Sequence, residues 1–302
     1  MALPRNEPHP STTNGHGYDR SISVAGDLLI ERILSLEIAR VTESAAVSAA
    51  HLRGLGDEMD ADRAAVDAMR HELAKLPIKG TVVIGEGERD AAPMLFIGEE
   101  VGTGIGPEFD VAVDPLEGTT LCAKGLPGAI TVIAIAEGGT LLNAPDVYME
   151  KIAVGPGYPK GVVDLDAPVG DNIAAVARTK GVDPGEITVL VLDRPRHTEL
   201  IAAARKTGAA VSLITDGDIA GVIHTADPDV TGIDMYIGIG GAPEGVLAAA
   251  ALRCIGGQMQ ARLVLDRPEA RRGRPEWASW TRVRPIRSKT WSVATVCSPP
   301  RA

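Results

Sequence analysis

Acidic residues recur in this chain just past apolar runs of strand length, and that placement points to its chemistry. Glu86, Glu88 and Asp90 follow the run 81–84, and Asp114 and Glu117 follow 109–113. Asp216 and Asp218 follow 210–214, and Glu244 opens a helix after the Gly-rich loop 238–241. Carboxylate oxygens are what hard cations such as Mg²⁺ take as ligands. Two such cations about 3.5–4 Å apart can activate water and stabilise a leaving oxygen, as phosphate ester hydrolysis requires. In open α/β sheets, ligands bind beyond the carboxyl ends of strands. One acidic turn alone reads more simply as an N-cap or Asx-turn. Four in one chain weaken that reading.

The elements that must position these acids alternate along the sequence. Leu29, Ile33, Leu36, Ile38 and Val41 recur at helical spacing within 27–51, and Ala65, Val66, Met69 and Leu73 within 61–76, where Pro77 stops the helix. The unbroken apolar run 129–135 predicts a strand buried on both faces. In the second half, strands at 187–192, 210–214 and 235–239 alternate with helices at 197–206, after Asp218, and at 245–252. Such alternation means an α/β fold. The Gly/Pro/Asp-rich stretch 155–171 is the candidate boundary between a metal-binding phosphatase domain (26–160) and a second α/β substrate domain (161–266).

Composition excludes several classes. A net charge of −10 argues against a general nucleic-acid binder, which needs clustered Lys and Arg. Residues 1–25 read as a flexible leader, neither signal peptide nor anchor, and no stretch reaches the ~18 apolar residues of a spanning helix. Cys122, Cys254 and Cys297 follow no metal-ligand spacing, which fits a reducing, cytoplasmic compartment. Aromatics are only 3 %, so the core must be built from small aliphatic side chains. No nucleic acid and no membrane are expected as partners.

Asp114-Pro115-Leu116-Glu117-Gly118-Thr119 resembles the Asp-Pro-x-Asp-Gly-Thr signature of the lithium-sensitive, Mg²⁺-dependent sugar phosphatase superfamily, with Glu117 for the second Asp. Together with Gly-Glu-Gly-Glu-Arg-Asp at 85–90, Asn-Ala-Pro-Asp-Val-Tyr-Met-Glu-Lys at 143–151, Arg-Pro-Arg-His at 194–197, Asp-Gly-Asp at 216–218 and Gly-Ile-Gly-Gly-Ala-Pro-Glu-Gly at 238–245, the pattern resembles class II fructose-1,6-bisphosphatase from about Leu36 to Leu265. The resemblance implies a layered α-β-α-β-α sandwich and hydrolysis of the 1-phosphate of fructose 1,6-bisphosphate by metal-activated water, with Mg²⁺ or Mn²⁺, as a step of gluconeogenesis or other sugar-phosphate metabolism. It places Asp62, Glu86, Asp114, Glu117 and Glu244 on the metal ligands, Asp90 on a catalytic acid and Thr119 on the hydroxyl that orients the attacking water. The partners it implies are a small-molecule sugar bisphosphate and further copies of the chain in a homo-oligomer. Substrate contacts would come from Glu117, Gly118, Thr119, Tyr148, Arg194, Pro195, Arg196, Asp216, Gly217, Asp218 and Gly241. Arg194 and Arg196 can fork onto the phosphate that is not cleaved, and Asp216 and Asp218 suit sugar hydroxyls. His197 reads as a helix-start residue, not a base. A dual enzyme that also takes sedoheptulose 1,7-bisphosphate, and a catalytically impaired paralogue that binds sugar phosphate, are the alternatives.

Two departures favour the impaired reading. Glu58 stands where the family shows Lys, and Arg63 where it shows Gly beside the first metal ligand. The stretch 267–302 is also unlike the rest: it holds all three tryptophans, and eight Arg and one Lys against two Glu. Residues 288–295 can be encoded so that a shifted frame reads Glu-Asp-Leu-Val-Arg-Gly-Asp, which resembles the family's C-terminal region. We hypothesise a frameshift near 267–275. A coding sequence that cannot yield those words in the shifted frame rules it out.

Overall fold

The computed structural model describes residues 20–87, 94–264 and 291–297, with backbone alone for 20–33 and 291–297. Helix α1 (Arg20–Ala50) begins earlier than its periodicity marks, and α2 (Glu58–Leu73) starts at the N-cap Asp57. The Asp57 carboxylate accepts from the Asp60 amide at 2.9 Å, a cap contributing about 1 kcal/mol. Ala61, Ala65, Val66, Met69 and Leu73 then form one buried stripe.

Strands β1 (Lys79–Ile84), β2 (Glu100–Val101), β3 (Glu108–Glu117), β4 (Ile130–Glu137) and a late strand belong to one sheet, with the short helix α3 (Thr119–Ala123) between β3 and β4. The second sheet is built from β5 (Tyr148–Val154), β6 (Thr188–Leu192), β7 (Ala210–Ile214), β8 (Met235–Gly241) and β9 (Gln258–Leu263), in the order β7-β6-β8-β5-β9. Helices α4 (Val169–Lys180), α5 (Thr198–Arg205), α6 (Asp218–Ile223), α7 (Pro228–Thr231) and α8 (Ala242–Ile255) complete the described fold. The late strand, β10 (Trp291–Cys297), runs antiparallel beside β4, so the basic tail contributes an element that its composition did not suggest.

Three apolar clusters define five layers. One joins α1 and α2 to one face of the first sheet through Ile38, Met69, Val111 and Ile133. A second fills the space between the sheets, where Ala134 and Val132 meet α6, α8, Leu190 and Tyr236. The third covers the far face of the second sheet with α4 and α5. This is the α-β-α-β-α sandwich expected. The strand β4 is buried on both faces, as its unbroken apolar run requires. Helix α8 is apolar all round because it lies between two sheets, and its alanines let both approach closely.

The chain crosses from the first sheet to the second before Tyr148, ahead of the Gly/Pro/Asp-rich stretch, and the central cluster spans both sheets. Among the described residues, no helix is long and apolar enough to cross a membrane.

Candidate active site

The acids of the first sheet reach one side because the strands carrying them are irregular. Along β3, Val111 and Val113 face α1 and α2, while Ala112 faces the middle layer. In an unbroken strand, residues three apart point to opposite faces, which would separate Asp114 from Glu117. Here the pairing steps from Asp114↔Val132 to Glu117↔Ile130, so three steps on β3 answer two on β4. The extra residue is a bulge, Leu116 turns to the α1/α2 side, and both acids face the middle layer. These residues therefore belong to the strand itself, whereas the end of the apolar run at 113 suggested that they follow it. A second irregularity lies between Val82 and Ile84 of β1: Val82 faces α1 and α2, Ile84 the middle layer, and Glu86 leaves the strand end into the same space. Asp62 comes from the first turns of α2.

The opposite wall is held by specific contacts. The Arg196 guanidinium donates through Nε and one terminal nitrogen to the Ile239 carbonyl at 3.0 and 2.7 Å, and lies 4.8 Å from the centre of the Tyr148 ring. The His197 ring bridges Leu192 O and the Ile239 amide at 2.7 and 2.8 Å. Accepting from that amide requires a neutral imidazole, and burial pushes the His197 pKa down accordingly. The structural reading of His197 thus stands on its contacts. Asp218 accepts from Lys151 Nζ at 2.6 Å and from the Tyr236 hydroxyl at 3.4 Å. The segment 238–241 belongs to β8 and is not a loop. Its glycines serve clearance: a Cβ at Gly240 would collide with the Asp218 carboxylate, and one at Gly241 with that of Glu244.

Between the walls lies a cleft of about 500 Å³, lined by Asp62, Glu86, Asp114, Glu117, Thr119 and Glu244 and by Arg194, Arg196, Asp216 and Asp218. Gly118, Tyr148, Gly217 and Gly241 also line it. Pro195 does not; it opens the short 3-10 turn Pro195–His197 between the two arginines. Asp90 and Glu88 lie outside the described residues. Asp146 lines the cleft as well; it lies in the motif at 143–151 but was not singled out from the sequence.

Charge is crowded there. Burial and then the neighbouring Asp62 push the Glu86 pKa up to about 7. Asp114 is pushed well above the usual carboxylate range by burial, then by Glu117, Glu86, Glu244 and Asp62. Burial and Asp218 raise Glu117, against the pull of two amides: Ile219 and Ala220 at the start of α6 donate to its two oxygens at 2.6 and 3.3 Å. Glu244 is raised by burial and Asp218 and relieved by Lys151, and its Oε2 is buried with no hydrogen-bond partner.

Among the described residues, no three His, Cys, Asp or Glu side chains already converge tightly enough to hold a metal ion. The carboxylates share a cleft at longer range, with Glu117 turned to α6. Their chemistry nonetheless fits a hard divalent cation: an all-oxygen donor set, mutual repulsion that a cation would relieve, and one orphaned buried oxygen on Glu244. The departures at 58 and 63 differ in consequence. Arg63 pairs with Asp60 on the exposed side of α2 and not with Asp62. Glu58 adds negative charge toward Asp216.

Two stacked sheets with an acid-lined cleft at their strand ends define an α/β sandwich of the sugar-phosphatase type. A profile of the family described as bacterial fructose-1,6-bisphosphatase, glpX-encoded, matches residues 32–279, and this chain belongs to that family. It is 48 % identical over 253 residues to the D-fructose 1,6-bisphosphatase class 2/sedoheptulose 1,7-bisphosphatase of Prochlorococcus marinus (strain MIT 9303), covering 84 % of this chain and 75 % of the relative. It is 50 % identical over 235 residues to fructose-1,6-bisphosphatase 1 class 2 of Escherichia coli (strain K12), covering 78 % and 69 %.

Proposed function

We propose that the chain hydrolyses the 1-phosphate of fructose 1,6-bisphosphate. Water attacks phosphorus, the bond from phosphorus to the sugar oxygen breaks, and fructose 6-phosphate and inorganic phosphate leave. Asp62, Glu86, Asp114, Glu117 and Glu244 would hold Mg²⁺ or Mn²⁺, which when bound supplies positive charge for the phosphoryl oxygens and an activated water. The Thr119 hydroxyl, at the start of α3, orients the attacking water. Arg194 and the unengaged edge of Arg196 hold the second phosphate, with Tyr148 as the platform under Arg196. Asp216 and the second oxygen of Asp218 accept from sugar hydroxyls.

The observation that carries this reading is one cleft in which a wall of acids, with no cationic partner among the described residues, faces a wall bearing two arginines. The test is phosphate release from fructose 1,6-bisphosphate with Mn²⁺. The wild-type chain releases phosphate and Asp114→Ala does not. Failure of the wild type, with activity appearing in Glu58→Lys/Arg63→Gly, would replace this reading by that of an impaired, sugar-phosphate-binding paralogue. The negative charge that Glu58 adds toward Asp216 is what favours that second reading. The P. marinus relative bears a dual name, and sedoheptulose 1,7-bisphosphate belongs in the same assay.

A further inference from the structure

Lys151 is 0 % exposed and forms an ion pair with Asp218, itself 6 % exposed. A lysine wholly removed from water is costly unless its charge is matched and its donors are used, so the fold holds it there against a penalty. The surroundings are shaped for it. Its register on β5 turns it to the middle layer, alongside Met149 and Ala153. A Cβ at Gly240 would come 3.1 Å from its Nζ, and one at Gly245 3.3 Å from its Cε. Glycines of β8 and α8 therefore flank the lysine stem, and any side chain there would press on it. Tyr236, also fully buried, adds its hydroxyl to the same Asp218 oxygen, Oδ2. Both holders thus grip Oδ2, and Oδ1 is left for the cleft that Asp218 lines.

We propose that Lys151, with Tyr236 behind it, is a positioning residue for sugar recognition: it fixes Asp218 by one carboxylate oxygen so that the other meets a sugar hydroxyl. Lys151 is not among the residues that line the cleft and acts through Asp218. The inference rests on the proposed fructose bisphosphatase reading. Without Lys151, Asp218 is free to turn and is repelled by Glu117 and Glu244, whose pKa values its charge raises.

The test is a double-mutant cycle of Lys151→Met and Asp218→Asn, read by steady-state phosphate release and by calorimetric binding of fructose 1,6-bisphosphate with Mn²⁺. Loss of one charge-assisted hydrogen bond predicts that Lys151→Met raises KM and Kd about 10- to 100-fold, with kcat changed by less than about threefold. The double variant should match Asp218→Asn within about twofold, since the lysine acts through that carboxylate. The Mn²⁺ concentration for half-activation should stay within about twofold. Multiplying effects in the double variant, or an unchanged KM and Kd in Lys151→Met, would overturn the proposal. So would a shift in Mn²⁺ requirement without a shift in KM, which would assign the lysine to Glu244. If a single variant does not fold, Tyr236→Phe, which removes only the longer of the two bonds, should raise KM about two- to threefold with kcat unchanged; no change in KM overturns the idea. A wild-type chain that binds fructose 1,6-bisphosphate without releasing phosphate defeats the hydrolytic reading alone, and Kd then decides on Lys151. A chain that neither binds nor hydrolyses defeats both.

Discussion

On the wall built from the first sheet, Asp62, Glu86 and Asp114 crowd together with no ion pair among the described residues; on the other wall, Asp218 has Lys151 and Tyr236, and Arg196 has a carbonyl and a ring. On the second wall, Asp218 and Arg196 are held by partners from within the chain before any ligand arrives. Among the described residues nothing neutralises the charge of the first, which is what a place for exogenous cations would show.

Changing one aspartate on each wall should separate them most sharply. Asp114→Asn should lower kcat/KM on the order of 10³-fold, while raising the thermal midpoint of the metal-free protein by about 2–4 °C for each kcal/mol of repulsion removed. Asp218→Asn should do the reverse to stability: it strands a buried lysine and costs about 3–5 kcal/mol, read from denaturant titration. Equal signs for the two substitutions would break the contrast.

Cations should distinguish the walls next. At neutral pH, Mn²⁺ at a hundred times its Kd should stabilise the wild type by about 2.7 kcal/mol, and Asp114→Asn far less, by calorimetric melting. In the metal-free protein Glu86 is raised from 4.5 to about 7, so the folded state binds the proton more tightly than the unfolded one. Its contribution is fully present below pH 4.5 and is lost as pH climbs through 7, on the order of 3 kcal/mol. Metal-free melting temperatures should therefore fall over that interval, and Glu86→Gln should flatten the fall. Saturating Mn²⁺ should oppose it, because protons and cations compete for the same oxygens.

The smallest expected effect is at the rim. Tyr148→Ala should raise KM about fivefold by removing the ring beneath Arg196, whereas Tyr148→Phe should leave KM within about twofold. Equal behaviour of both variants would remove the platform role.

Much of this was legible in the chain. The alternating strands and helices, the doubly buried β4 and the acids at or near the strand ends follow from patterns a few residues long. Helix boundaries moved because caps decide them: Asp57 starts α2 earlier than its apolar stripe does. Weakly patterned pieces such as β9, with Gln258, Gln260 and Arg262 alternating through it, gave no signal because its polar groups bond to the loop at 158–165.

By itself, the sequence determined which residue types could meet a phosphate and which elements would carry them, since periodicity and turn chemistry act over one or two turns of chain. It also put Asp114 and Glu117 three residues apart. Whether they share a face depended on one extra residue in the pairing with β4, which is a property of two strands and not of either. The pairing of Lys151 with Asp218, 67 positions away, was likewise settled only by packing. The two meet where β5, β8 and α8 leave a gap for a lysine stem, and there a buried charge persists because its partner is already in place.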